Sequence, residues 1–174
     1  MISIETAQAI LSEIAARNGI ESGLHLDENS HCAVGPGDEP AFHIAFSEND
    51  GSFILAGLVG PLAEEAQAAS PALRFLLASN LYWHETGGAT LALEPESGFV
   101  VLQKKLKIPP DAEEDFRTTG VELVESEMLL FEDLLGSWQK RYVAFLREDP
   151  EDEDDKGPFE PAEPSFIPNF DLRV

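Results

Sequence analysis

Phe42-His43-Ile44-Ala45-Phe46-Ser47-Glu48-Asn49-Asp50-Gly51-Ser52-Phe53-Ile54-Leu55-Ala56-Gly57-Leu58-Val59 is the stretch on which the fold turns. Phe42, Ile44 and Phe46 alternate with His43 and Ala45, the period of two that a half-buried strand requires. Asn49-Asp50-Gly51 is a hairpin signal, because these residues tolerate the positive φ angles of a tight turn. The apolar run Phe53–Val59 then predicts a second strand covered on both faces. Strands joined by so short a turn pair antiparallel.

Working outward, Leu24-His25-Leu26-Asp27 alternates, Glu28-Asn29-Ser30 supplies a turn, and His31-Cys32-Ala33-Val34 returns as a strand. Ahead of them, residues 3–17 set Ile4, Ala7, Ile10, Leu11, Ile14 and Ala15 on one helical stripe. Ser3 suits the N-cap and Gly19 the left-handed C-terminal position. Downstream, Gly60-Pro61 ends the strand. Ser70-Pro71 predicts a helix start, with Ser as cap and Pro at the first helical position. That helix, over 72–83, carries Leu73, Leu76, Leu77 and Leu81 and stops before Gly87-Gly88. Thr90–Leu93 and Phe99–Leu102 form a hairpin around Pro95-Glu96-Ser97-Gly98. From Asp111 a long helical pattern runs through Phe131, Trp138 and Phe145, with a bend signal at Thr118-Thr119-Gly120. The order is helix, three or four strands, helix, two strands, helix. That is an α+β fold, an antiparallel sheet with flanking helices, and not an alternating βαβ fold.

Of 174 residues, 33 are acidic and 11 basic, a net charge of -22. Affinity for phosphate depends on Lys and Arg displacing counterions, so nucleic acid and anionic lipid are excluded as partners. Ten of the acids fall in 148–174, where Glu148-Asp149-Pro150-Glu151-Asp152-Glu153-Asp154-Asp155 is followed by Pro158, Pro161, Pro164 and Pro168. Charge and proline together forbid packing, so a domain of residues 1–147 and an acidic, proline-rich tail of 148–174 are expected. The tail reads as solubilising; a sharper alternative has Phe166, Ile167 and Phe170 standing in for a bound partner. Cys32 is the one cysteine, which fits a reducing, cytoplasmic setting. No apolar run is long enough to span a membrane, and Met1–Glu13 does not read as a signal peptide.

Catalytic patterns are missing. There is no phosphate loop, paired-His helix or nucleophile elbow. His25, His31, Cys32 and His43 fall on neighbouring strands, yet their spacing matches no ligand pattern. No catalytic residue, metal or cofactor is expected. Two other features stand out. The helix with Leu73, Leu76, Leu77 and Leu81 is apolar nearly all round, which points to burial on a second side, and a second copy of the chain can supply it. The short strands carry many large apolar residues, and a sheet with one uncovered face can offer it to an extended peptide.

The chain resembles the class I type III secretion chaperones, of which the Tir chaperone is representative. The resemblance covers residues 3–146. It rests on Leu24-His25-Leu26-Asp27-Glu28 with Cys32, on Leu55-Ala56-Gly57-Leu58, and on Leu73-x-x-Leu76-Leu77-x-x-Asn80. It extends through Gly87-Gly88-Ala89-Thr90-Leu91-Ala92-Leu93-Glu94-Pro95-Glu96-Ser97-Gly98-Phe99-Val100-Val101-Leu102 to Phe131 and Trp138. It implies an α-β-β-β-α-β-β-α protomer, a bacterial cytoplasmic homodimer, no enzymatic activity, and an N-terminal segment of a secreted effector as partner, with the export machinery beyond. The implied dimer contact maps to Leu73, Leu76, Leu77, Leu81, Leu91 and Leu93. The implied effector-binding residues are Ile10, Ile14, Leu24, Leu26, Phe42, Ile44 and Phe46, of which several must be core. The runner-up is a regulatory module of the same fold that sequesters an activator or anti-activator of secretion genes. The 148–174 tail is longer and more acidic than the family pattern.

Overall fold

The computed structural model describes residues 2–35, 41–62, 66–109 and 119–147, without the side chains of 66–69. Helix α1 (Ile4–Arg17) begins where the Ser3 hydroxyl accepts the Thr6 N–H, and Gly19 beyond its end adopts φ +65°. Its apolar stripe Ala7, Ile10, Leu11, Ile14 and Ala15 is buried. Strands β1 (His31–Val34), β2 (Phe42–Ser47) and β3 (Ser52–Pro61) follow, then helix α2 (Ala66–Ser79) and a short 3-10 turn, Leu81–Trp83. Strands β4 (Thr90–Leu93) and β5 (Phe99–Lys107) precede the long helix α3 (Val121–Arg147). The five strands form one antiparallel sheet in the order β1-β2-β3-β5-β4. The element order is the α-β-β-β-α-β-β-α expected.

The β2–β3 turn falls at Asn49-Asp50-Gly51, with Gly51 at φ +63°. Asp50 accepts from the Ser52 hydroxyl and pairs with Lys105 of β5. Those partners, Lys105 foremost, hold its carboxyl down at about 2, so the latch stays charged at every ordinary pH.

One face of the sheet carries Phe42, Ile44, Phe46, Phe53, Leu55, Val100 and Leu102, all buried. Helix α3 crosses this face and is fastened to β2 and β3. The Phe131 ring meets Phe42 edge-on at 5.5 Å, Gln139 Nε2 donates to the Leu58 carbonyl at 2.8 Å, and the Tyr142 hydroxyl donates to the Pro61 carbonyl at 3.2 Å. α1 meets the N-terminal half of α3, where Asn18 donates to Glu125. α2 meets the C-terminal half: Phe75 stacks on Phe145 with centroids 4.4 Å apart, and the Arg141 guanidinium lies over Phe75 and Trp138. Lys104 interrupts the apolar face of β5, and Glu127 of α3 answers it at 2.7 Å.

Three local expectations change. Leu24–Asp27 is not a strand; the Gln8 side-chain amide of α1 holds it, donating to the Leu24 carbonyl and accepting from the Leu26 N–H. α2 begins at Ala66 rather than at Ser70-Pro71 and ends at Ser79, before Trp83. Pro71 therefore sits in the second turn, where its missing N–H forfeits only one helical bond. β3 is covered on one face only, since Ile54 and Ala56 are half-buried and Leu58 is exposed. The expected helix start at Asp111 and the tail of 148–174 lie outside the described residues.

Gly57 lies where α3 comes close to the sheet. A Cβ built there would collide with the buried Leu135 side chain, while one at Gly60 would sit 3.0 Å from the Tyr142 ring. Gly57→Ala is expected to lose about 1–3 kcal/mol in denaturant unfolding through overpacking. Adding Leu135→Ala should make the two losses markedly non-additive, with the second substitution relieving part of the first.

Candidate protein-binding surfaces

Two apolar surfaces stand out among the described residues. The first surrounds the junction of α2 with the sheet. Ala72 and Leu76 face inward, which turns Leu73 and Leu77 outward, and Leu81 of the 3-10 turn joins them; Leu77 is 70% exposed and Leu81 64%. Asn80 fixes this end of α2, its Nδ2 donating to the Leu91 carbonyl at 2.9 Å and its Oδ1 accepting the Leu91 N–H at 2.8 Å. One side chain thus satisfies the outer edge of β4 at Leu91 as another strand would. Two further large side chains crowd the junction. Tyr82 and Trp83 are 70% and 59% exposed and adopt φ +59° and +53°. Two consecutive non-glycine residues in the left-handed region cost on the order of 1–3 kcal/mol each, so surrounding structure must hold them there. Leu93, two residues from Leu91, is also exposed.

The second surface is a cleft at the opposite edge of the sheet. The His31 N–H donates to the Asp27 carboxylate and the His31 carbonyl accepts the Asp27 N–H, both at 2.8 Å, so odd-numbered residues of β1 turn their backbone outward. The His31 N–H bond holds the Asp27 carboxyl below the usual carboxylate range. Ala33, next in the outward register, faces a slot bounded by Ser22, Gly23 and Leu24 on the other side. Beside the slot lies a hollow walled by Ile14 of α1 and its C-cap Asn18, Val34 and Phe42 of the sheet, and Met128 and Leu129 of α3. Its free volume is ≈ 160 Å³, close to the roughly 150 Å³ that takes up benzene in an engineered core. It is sized for one aliphatic or aromatic side chain. Leu129, on its rim, is 62% exposed.

No three His, Cys, Asp or Glu side chains converge on a metal position among the described residues. Cys32 points into the core while His31 and His43 are exposed, because alternation sends them to opposite faces. Burial pushes the Cys32 thiol up, which makes it a poor nucleophile.

Residues 9–126 match the family model described as the Tir chaperone protein (CesT) family. The chain belongs to that family. Comparison with curated protein sequences gave no match. Among solved structures, the HopA1-SchA chaperone-effector complex contains a chain at TM-score 0.57 and 18% identity; the match covers 80% of this chain and 99% of that one. The ExsC-ExsE complex contains another at TM-score 0.56 and 20% identity, covering 80% and 96%. The family model stops inside α3, whereas both structural matches run over nearly the whole of their own chains.

On this Tir-chaperone fold, the residues singled out from sequence separate by burial. Leu73, Leu77, Leu81 and Leu93 are exposed on the first surface, and Leu76 and Leu91 are buried beneath it. Ile14, Leu24 and Phe42 line the cleft. Ile10, Ile44 and Phe46 are buried in the core, and Leu26 is half-buried beside Gln8. Sequence reasoning missed Ile20, Val34, Met128 and Leu129 of the cleft, which come from separate elements and share no pattern. It also read Tyr82 and Trp83 as helical.

Gln8→Ala is expected to cost about 1–3 kcal/mol, since it strands a backbone donor and a backbone acceptor. Amide exchange should accelerate first at Leu26, before global unfolding contributes.

Proposed function

We propose that this chain is a cytoplasmic type III secretion chaperone. As a homodimer it holds an N-terminal segment of a secreted effector extended, soluble and competent for export. The observation that carries this reading is the pairing of a side-chain-sized apolar hollow with the outward-facing backbone of β1 at Ala33. Backbone hydrogen bonds to Ala33 would hold an extended segment, and the hollow would take one of its side chains and so fix its register. Membership of the Tir chaperone family supports the same reading, as does the likeness to a structure described as a chaperone-effector complex. Such a holder needs neither nucleotide nor catalytic residue.

The α2 ridge supports the dimer. Leu73, Leu77, Leu81 and Leu93, joined by Tyr82 and Trp83, would be buried against the same surface of a second copy. Each leucine fully buried there contributes about 1.5–3 kcal/mol. Contact across that surface would also fix the two strained aromatic residues.

Purification of the tagged chain from its own bacterium should bring down a secreted protein. Proteolysis of that complex should leave a protected segment near the effector's N-terminus that lacks stable structure when free. Protection of a folded domain instead would defeat the reading. For the dimer, Leu77→Asp is the decisive substitution because Leu77 is exposed in the protomer and its loss leaves the core intact. Light scattering should report the mass of one chain instead of two, at a cost to association on the order of several kcal/mol. An unchanged dimer mass would move the interface elsewhere.

A further inference from the structure

We propose that the cleft selects segments in which a basic residue lies within two positions of the apolar anchor, and that Glu132 of α3 is the residue that reads it. This rests on the reading of the cleft as the client groove. The slot beside β1 and the hollow beneath α1 are separate depressions, and Glu132 lines both. Any chain running along β1 with a side chain in the hollow must therefore pass it. Glu125 adds a second carboxylate to the hollow, and no Lys or Arg lines either depression among the described residues.

The two carboxylates are not equivalent. Glu125 is already engaged, accepting from Asn18 Nδ2 at 2.5 Å with the Arg17 guanidinium 3.9 Å away. Glu132 has no hydrogen bond or ion pair among the described residues, and it is exposed on the wall that a bound segment would face. A free carboxylate beside an apolar pocket rewards a guanidinium or ammonium that can reach out while its neighbour is buried. Arg and Lys suit this geometry because their stems lie along apolar surface with the charge at the tip. The field of the whole chain acts in the same sense: at net charge -22 it draws basic segments in and repels acidic ones. The chain's own acidic 148–174 segment is by the same argument a poor occupant. Apolar contact supplies affinity here, and charge supplies the choice between segments of equal greasiness.

The test uses the full-length chain and a displayed library of random dodecapeptides. Wild type should select peptides with Lys or Arg within two positions of a large apolar residue. A synthetic peptide of that selected class should bind about threefold more weakly to Glu132→Gln and at least about tenfold more weakly to Glu132→Lys, which should itself select Asp or Glu at the same position. Binding to wild type should fall with added salt more steeply than binding to Glu132→Gln. Leu129→Asp, at an exposed rim position that the fold can spare, should weaken every selected peptide. Selection without basic residues, or affinity indifferent to Glu132→Lys while Leu129→Asp still weakens it, overturns the charge inference and leaves the groove. Indifference to both, or a library that yields no binder, overturns the groove reading with it. Tighter binding after deletion of 148–174, with no effect of Glu132→Lys, would make the chain's own tail the occupant and also overturn the inference.

Discussion

The close approach of α3 to β3 is the constraint from which the rest of the molecule follows. Gly57 admits the Leu135 side chain where any other residue would collide, and Gly60 brings the Tyr142 ring to within van der Waals contact of the strand. A helix of 27 residues, about 40 Å long at 1.5 Å per residue, therefore lies flat on one face of a five-stranded sheet. That face is filled. α1 and α2 then have room only beside the two halves of α3, and each leaves a flank unburied. The α1 flank, with β1, makes the cleft; the α2 flank makes the exposed leucine ridge.

The two edges of the sheet are treated differently, and polar side chains make the difference. An exposed strand edge invites pairing with any extended chain, so folded proteins tend to cover it. At β4 the Asn80 amide occupies both backbone groups of Leu91 and closes the edge there. At β1 the Asp27 turn occupies those of His31, whereas at Ala33 beyond it, which borders the slot, the carbonyl meets only the weak Cys32 thiol donor at 3.6 Å among the described residues. Gln8 keeps the slot's far wall in place by holding Leu24 and Leu26. Asn80 thus closes the β4 edge at Leu91, and the β1 edge has a side-chain pocket adjoining it at Ala33.

The parts of this arrangement that repeat along the chain were legible in the sequence. Alternation at Phe42–Phe46, the Asn49-Asp50-Gly51 turn, the α1 stripe and the β4–β5 hairpin each carry their signal within a few residues. What failed was whatever depends on a partner distant in sequence. Leu24–Asp27 alternates like a strand, but its backbone bonds go to Gln8, and no local pattern announces a side chain from another element. Ser70-Pro71 is a strong helix start locally, yet the helix tolerates Pro71 one turn in. Period two also says which residues share a face without saying which face α3 will cover. Phe42, Ile44 and Phe46 thus looked equally able to meet a partner, and only Phe42, at the margin of the helix layer, reaches the cleft. On α2 the period showed that a helix apolar all round leaves leucines over once one side has met the sheet, but not that Leu76 would be among those buried.

A protein that keeps leucines, a tyrosine and a tryptophan exposed needs a reason not to precipitate, and the charge supplies it. At net charge -22, encounters between random faces of two copies are repulsive over about a Debye length, roughly 8 Å at physiological salt. Only a pairing that buries much apolar area at once outweighs that barrier, which favours one specific dimer over diffuse association. The repulsion extends to the many acidic segments of the chain itself. A cleft with carboxylates on its α3 wall and apolar residues in its floor is therefore attractive to few of the sequences around it. On the proposed reading, the strongest attraction would go to an extended, partly basic, partly apolar segment of another protein, the kind of segment that would aggregate if left alone. The same charge that keeps the holder soluble thus narrows what it holds.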